Sequence, residues 1–145
     1  MNKNIAPLLA DLLVTAHRLT RIAAQATGST TPSAVWHTLS ILTTDGPSRI
    51  GELATKGRVT QPSMTKVVQQ LVEDGLVYRG TDAKDSRAWL IAVTPAGIDA
   101  LDSWRSELAA RLEPMFSDLT PAEIATLTSA IDILGSRTAT DRQVA

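Results

Sequence analysis

The chain has no cysteine among its 145 residues. That excludes a disulfide scaffold, a zinc finger and a thiol-based redox sensor, and it fits a reducing, cytoplasmic setting. Histidine is almost as scarce, with only His17 and His37, so no metal site is expected. Long apolar runs are lacking too. The stretch "IAPLLADLLV" is broken by Pro7 and Asp11 and flanked only by Lys3, a poor signal peptide and a poorer membrane span. The sequence holds no nucleophile–base motif, glycine-rich phosphate loop or metal-ligand cluster. An enzyme is therefore not expected, and no cofactor.

Charge of one sign is missing as well. The net charge is −1, so the chain as a whole is not a strongly basic, nonspecific polyanion binder. Its distribution is more informative. Residues 49–87 hold seven bases (Arg49, Lys56, Arg58, Lys66, Arg79, Lys84, Arg87) against five acids (Glu52, Glu73, Asp74, Asp82, Asp85). That segment carries +2 and the remainder −3, which permits a local site for a polyanion.

What is present is helical punctuation. Thr-Pro occurs at Thr31-Pro32, Thr94-Pro95 and Thr120-Pro121, each time before a segment of helical period. Threonine caps free first-turn N–H groups, and proline at the next position forfeits no hydrogen bond. Glu123, three residues after Thr120, completes a capping box. Each cap is worth roughly 1 kcal/mol.

The pattern predicts six helices. The first covers Ile5 to Ala26, with Ile5, Leu8, Leu9, Leu12, Leu13, Ala16, Leu19, Ile22 and Ala23 on one broad stripe. The second runs from Pro32 to Thr43, and the third from Ile50 to Lys56 with Gly57 placed to stop it. The start "SRIGEL" offers the third helix a poor cap. The fourth spans Gln61 to Asp74 and is closed by Gly75. "LVYRGTDAKDSRAWLIAVT" then holds two β-type runs around a polar tip, which reads as a hairpin with Trp89, Ile91 and Val93 on one face. The fifth helix covers Pro95 to Phe116 and the sixth Pro121 to Leu134. The tail "SRTATDRQVA" is expected to fray.

A short helix, a tight turn, a second helix and a two-stranded hairpin form the order of a winged helix-turn-helix. In the fourth helix, "QPSMTKVVQQL", Met64, Val67 and Leu71 share the buried side with the edge of Val68. Pro62, Lys66, Gln69 and Glu73 face the other way, flanked by Ser63, Thr65 and Gln70. Glutamine, serine and threonine donate and accept hydrogen bonds at base edges, and Lys66 reaches a phosphate or a guanine. A helix N-terminus also favours a phosphate. The candidate DNA-contacting residues are Arg58, Thr60, Gln61, Ser63, Thr65, Lys66, Gln69 and Gln70. A merely solvated face accounts for this helix alone equally well; the hairpin after it favours DNA. On the hairpin, Asp85 and Arg87 stand two residues apart near the tip, close enough to pair, so that Asp85 could hold the guanidinium in one pose. An oriented arginine on a thin wing suits a narrow, electronegative minor groove. The competing reading is an exposed ion pair of little worth.

At these residues the chain resembles the MarR family (multiple antibiotic resistance regulator type) of bacterial transcription factors. The resemblance rests on "DSRAWLIAVTPAG", similar to the family's Asp-x-Arg, strand, then Leu-Thr-x-x-Gly. Asp85, Arg87, Thr94 and Gly97 fill those positions, with Val93 where leucine is commoner. "TQPSMTK" is similar to the family's recognition helix, and the helix order agrees over nearly the whole chain. The resemblance implies a mainly α fold of six helices with a small β-hairpin wing (α+β), and DNA contact by Lys84, Asp85 and Arg87.

It also implies a homodimer interlocked through residues 1–30 and 98–138, with residues 32–97 as the DNA-binding lobe. The function it implies is transcriptional regulation, most often repression, on a pseudo-palindromic double-stranded operator. Apolar stripes at both chain ends (Leu8, Leu12, Leu19; Ile124, Leu127, Ile131, Leu134) fit that dimer, although intramolecular packing would use the same residues. With so few aromatics, a small core supplemented by a dimer interface is plausible. Many relatives bind a small aromatic or anionic ligand between the dimer helices and the lobe; here His17, Trp36, His37 and Trp104 are the candidate lining, although each is more often a plain packing or surface residue. The alternative function is a winged helix used only for protein contact.

Overall fold

A computed structural model describes residues 4–139. Six α-helices and one hairpin follow the expected order: α1 (Ala6–Thr27), α2 (Ser33–Asp45), α3 (Ile50–Gly57), α4 (Gln61–Glu73), β1 (Val77–Thr81), β2 (Trp89–Val93), α5 (Pro95–Leu112) and α6 (Pro121–Thr138). A 3-10 turn, Glu113–Phe116, follows α5. The fifth helix therefore ends earlier as an α-helix than its apolar period predicts. Pro114 lacks an N–H and crowds the preceding turn, so the chain tightens there. The sixth runs four residues beyond Leu134, so Ser136, Arg137 and Thr138 belong to it; the frayed tail expected beyond residue 139 lies outside the described residues.

Threonine capping marks three of the six helix starts, those of α4, α5 and α6. The Thr94 hydroxyl accepts the Gly97 N–H at 3.0 Å. Thr120 accepts the Glu123 N–H while Glu123 takes the Thr120 N–H, a complete capping box. Thr31 does not behave this way: Pro32 itself is the N-cap of α2, with no side-chain cap. The Thr31 N–H is instead held by the Ser29 hydroxyl in the turn leaving α1.

The third helix is stopped by its successor and not by Gly57. Gly57 is the last helical residue, and Arg58 adopts the left-handed conformation at φ 55°. The Val59 N–H reaches the Ala54 carbonyl and the Arg58 N–H the Thr55 carbonyl, satisfying the helix end. Gly57 packs closely instead: a Cβ there would sit 3.1 Å from Met64 Cε.

The core joins α2, α3, α4, both strands and α5. Leu39, Leu42, Leu53, Met64, Val68, Leu71, Ile91 and Leu101 are all fully buried. In α4 the buried stripe centres on Val68, and Val67 is half-buried, a slight rotation from the predicted face. The strands pair antiparallel from Val77–Val93 to Thr81–Trp89. Ser48 adds an unpredicted bridge, exchanging both backbone hydrogen bonds with Ile91 at 2.9 and 3.0 Å. The middle of β2 is thus stitched to the second residue before α3.

The ends of the chain differ from this core. Around Leu19, Ile22 and Ala23, α1 is partly to fully buried, and α1 packs on α5. Its first half leaves Ile5, Leu8, Leu13 and Val14 exposed. Along α6 no residue is buried, and no described element packs along it. No described helix is long and apolar enough to cross a membrane.

Candidate nucleic-acid interface

α4 begins at Thr60, whose extended backbone (ψ 153°) turns the chain into the helix. Its hydroxyl accepts the Ser63 N–H at 3.3 Å and donates to Ser63 Oγ at 2.9 Å. Pro62 sits at the second helical position, where a missing N–H forfeits no internal bond. One first-turn donor is thus absent and another taken, which weakens the expected anion site at this helix end.

The predicted DNA-contacting residues all lie exposed on α4 or just before it. Their hydrogen-bonding capacity differs. Thr65 donates its hydroxyl to the Gln61 carbonyl at 2.9 Å, leaving lone pairs that accept. Gln69 and Gln70 reach one turn on to Glu73 and Asp74. Among the described residues the side chains of Gln61, Lys66 and Arg58 have no partner. They are the residues of this face most available to a ligand.

The hairpin tip departs from the expected pairing. Asp85 makes no ion pair with Arg87 among the described residues; its Oδ1 accepts the Arg87 backbone N–H at 3.0 Å. The Asp85 carbonyl accepts the Ala88 N–H at 3.0 Å. A short carboxylate folds onto the backbone two residues on more readily than it meets a long, solvated guanidinium. Asp85 therefore shapes the turn that carries Arg87, and the guanidinium is free. Lys84 is likewise exposed.

Two residues the sequence reading did not single out matter here. Arg49, just before α3, donates from Nε and Nη2 to Asp82 Oδ2 at 3.2 and 2.8 Å. Asp82, just after β1, also accepts the Lys84 N–H at 2.9 Å. The Lys84 N–H and the guanidinium together hold the Asp82 carboxyl below its ordinary pKa, and the hydrogen bond to Asp82 raises that of Arg49. Aspartate two residues before a turn N–H is a readable turn signal. Its partner thirty-three positions away is not. Lys56 is similarly tied to Asp45 at 2.8 Å. Of the seven local cations, Arg58, Lys66, Arg79, Lys84 and Arg87 remain outside the described ion pairs.

Recognition-type helix and hairpin share one core, since Met64, Val68 and Leu71 of α4 pack in the cluster that holds Val77 and Ile91. Of the four candidate ligand residues, Trp36 and Trp104 come together. Trp36 and Trp104 stack at 4.8 Å between centroids and 10° between planes, filling one another's faces. His17 and His37 are exposed. Trp36 Nε1 is buried without a hydrogen-bond partner.

Residues 32–89 match the model of the MarR family. Over 96 residues the chain is 31% identical to an HTH-type transcriptional regulator of Mycobacterium bovis, covering 66% of this chain and 67% of that one. This chain belongs to the MarR family. The HTH-type transcriptional repressor IacR of Pseudomonas putida is 26% identical over 68% of this chain, and the match spans 59% of the repressor's own length. Among solved structures, a transcriptional regulator from Thermotoga maritima superposes with a TM-score of 0.71 at 22% identity, over 94% of this chain and 96% of that one. At that identity the likeness establishes the fold: a MarR-type winged helix with a two-stranded wing.

Proposed function

We propose that this MarR-family protein is a sequence-specific transcriptional repressor that binds a pseudo-palindromic DNA duplex as a homodimer. The observation that carries this reading is the pairing, on one core, of an exposed α4 face holding Gln61, Ser63, Thr65 and Lys66 with a wing holding an unpaired Arg87. α4 enters the major groove, where Gln61, Ser63 and Thr65 set base preference, while Arg58 and Lys66 touch phosphates. The wing lays Arg87 into the adjoining minor groove. No step in this function is catalytic, and it is exercised in the cytoplasm.

The dimer reading is supported by α6. Helices in proteins owe most of their stability to packing an apolar face, yet α6 exposes Ile124, Leu127, Ile131 and Ile133 and packs along no described element. Exposed Ile5, Leu8 and Leu13 of α1 are the complementary apolar surface. A second copy covers both, through residues 1–30 and 98–138, and leaves the lobe of residues 32–97 for DNA.

Ligand control is supported by the Trp36 indole N–H, a buried donor without a partner. A small aromatic or anionic molecule that opened the Trp36–Trp104 stack would satisfy it, close to His37 on the same helix. His17 is a weaker part of this reading, since it lies exposed on α1.

Selection of bound duplexes from a random pool tests the function. The expected product is an enriched pseudo-palindrome with half-sites about one helical turn (roughly 10 bp) apart, bound with strong salt dependence. No enrichment, with no salt-dependent binding, would leave the wing and α4 as a protein-contact module.

A further inference from the structure

The two DNA-facing elements are joined on the core side by packing. On the solvent side they are joined by one ion pair. Arg49 stands immediately before α3, which packs directly on α4. Asp82 stands immediately after β1, where the seven-residue wing loop begins. The Asp82 N–H closes that loop on the Ala88 carbonyl at 3.1 Å, and its Oδ1 fixes the Lys84 N–H. Its Oδ2 takes both Arg49 donors. One carboxylate therefore organises the loop and ties it to the helix-turn-helix. Its side chain is only 13% exposed although it sits on the surface, whereas Arg49 is 44% exposed.

We propose that Asp82 and Arg49 are positioning residues for DNA binding, which fix the wing's angle to the recognition helix so that Arg87 and α4 meet the duplex in register. The inference rests on the DNA-binding function proposed above. A two-stranded hairpin is marginally stable by itself, and its tip would otherwise pivot about the Ser48–Ile91 bridge. An exposed ion pair contributes little to stability. Its consequence is therefore expected in the placement of the tip and not in the melting temperature. This sets Arg49 apart from Lys66 and Arg58: its charge is already met by Asp82, so it adds no phosphate contact. Asp82 in turn, neutralised by Arg49, does not repel the DNA backbone.

The test measures fluorescence anisotropy on one selected duplex with the full chain. Asp82→Asn should weaken binding about tenfold in the wild-type background and less than about twofold in an Arg87→Ala background, because a positioning residue has no effect once the group it positions is gone. Arg49→Met should weaken binding similarly without changing the salt slope, and the exchange Arg49→Asp with Asp82→Arg should recover most of the loss. A DNA-independent arm follows backbone amide order parameters over residues 83–87, which should fall in Asp82→Asn while those of α4 stay constant. Equal losses with and without Arg87 would overturn the proposal, as would unchanged binding and unchanged wing order. A salt slope reduced by about one in Arg49→Met would make Arg49 a phosphate ligand instead. If the wild-type chain bound no duplex while wing order still fell in Asp82→Asn, the clamp would stand and its DNA role would fall.

Discussion

The indole rings of Trp36 and Trp104 lie 4.8 Å apart and within 10° of parallel, joining α2 to the long helix α5. Arg105 reinforces the same junction by donating from Nη2 to Ser40 Oγ at 3.1 Å. The stack thus adds to the α2–α5 packing that the buried Leu101 also supplies. Trp104→Ala removes both the ring contact and a half-buried side chain, and should cost roughly 2–3 kcal/mol by urea unfolding, below the range for a fully buried tryptophan. A loss under about 0.5 kcal/mol would mean the stack carries no weight in the fold.

Gly97 lies where the start of α5 crosses the hairpin root. A Cβ added there would collide with the Leu76 carbonyl oxygen and lie 2.7 Å from Val93 Cγ2. Gly97→Ala should therefore destabilise by about 2–3 kcal/mol, because backbone has to move. Gly51→Ala makes the opposite case: it is helical, exposed, and its nearest neighbour is Gln61 Oε1 at 3.9 Å. It should be neutral or stabilising by up to about 0.5 kcal/mol. Thermal unfolding of the two variants side by side checks both, and equal melting temperatures would contradict the close approach.

Arg58 holds a left-handed backbone that glycine would adopt without strain. Arg58→Gly should raise stability by about 0.5–1 kcal/mol while weakening binding across all DNA sequences and lowering the salt slope by about one. Stability gained with no change in slope would leave Arg58 as a helix cap without a phosphate contact.

How far these features were legible in the sequence follows from their range. Thr94 and Thr120 were readable because a cap is a three-residue event, and so was α4, with proline early and Met64, Val67 and Leu71 in phase, although Val68 and not Val67 proves the more buried. Thr31 misled because the same dipeptide followed a turn that left Pro32 as the cap. Pro114 ended α5 where the apolar period continued. The Asp85–Arg87 spacing was right and the contact wrong, because a backbone N–H lay nearer to the carboxylate than the guanidinium. The Arg49–Asp82 pair and the Ser48–Ile91 bridge were invisible, since each joins residues more than thirty positions apart. The stripes of α1 and α6 were plain in the sequence; only the fold separates the buried rear of α1 from the open surfaces at its front and along α6.

On the wing, Arg87→Ala should weaken operator binding by roughly 1–3 kcal/mol and leave the melting temperature nearly unchanged, since an exposed tip adds little core. Asp85→Ala should act in the same direction but more mildly, through the turn that presents Arg87. The double variant should lose little more than Arg87→Ala. Strictly additive losses on one duplex at fixed salt would show that the two act independently.

Sedimentation velocity of the purified chain, alone and with a selected duplex, decides whether the protein binds DNA as a dimer. The expected result is a dimer at micromolar concentration through the open faces of α1 and α6, and a complex of two protomers on one pseudo-palindromic duplex. A monomer in solution, or one protomer bound to a single half-site, would contradict it.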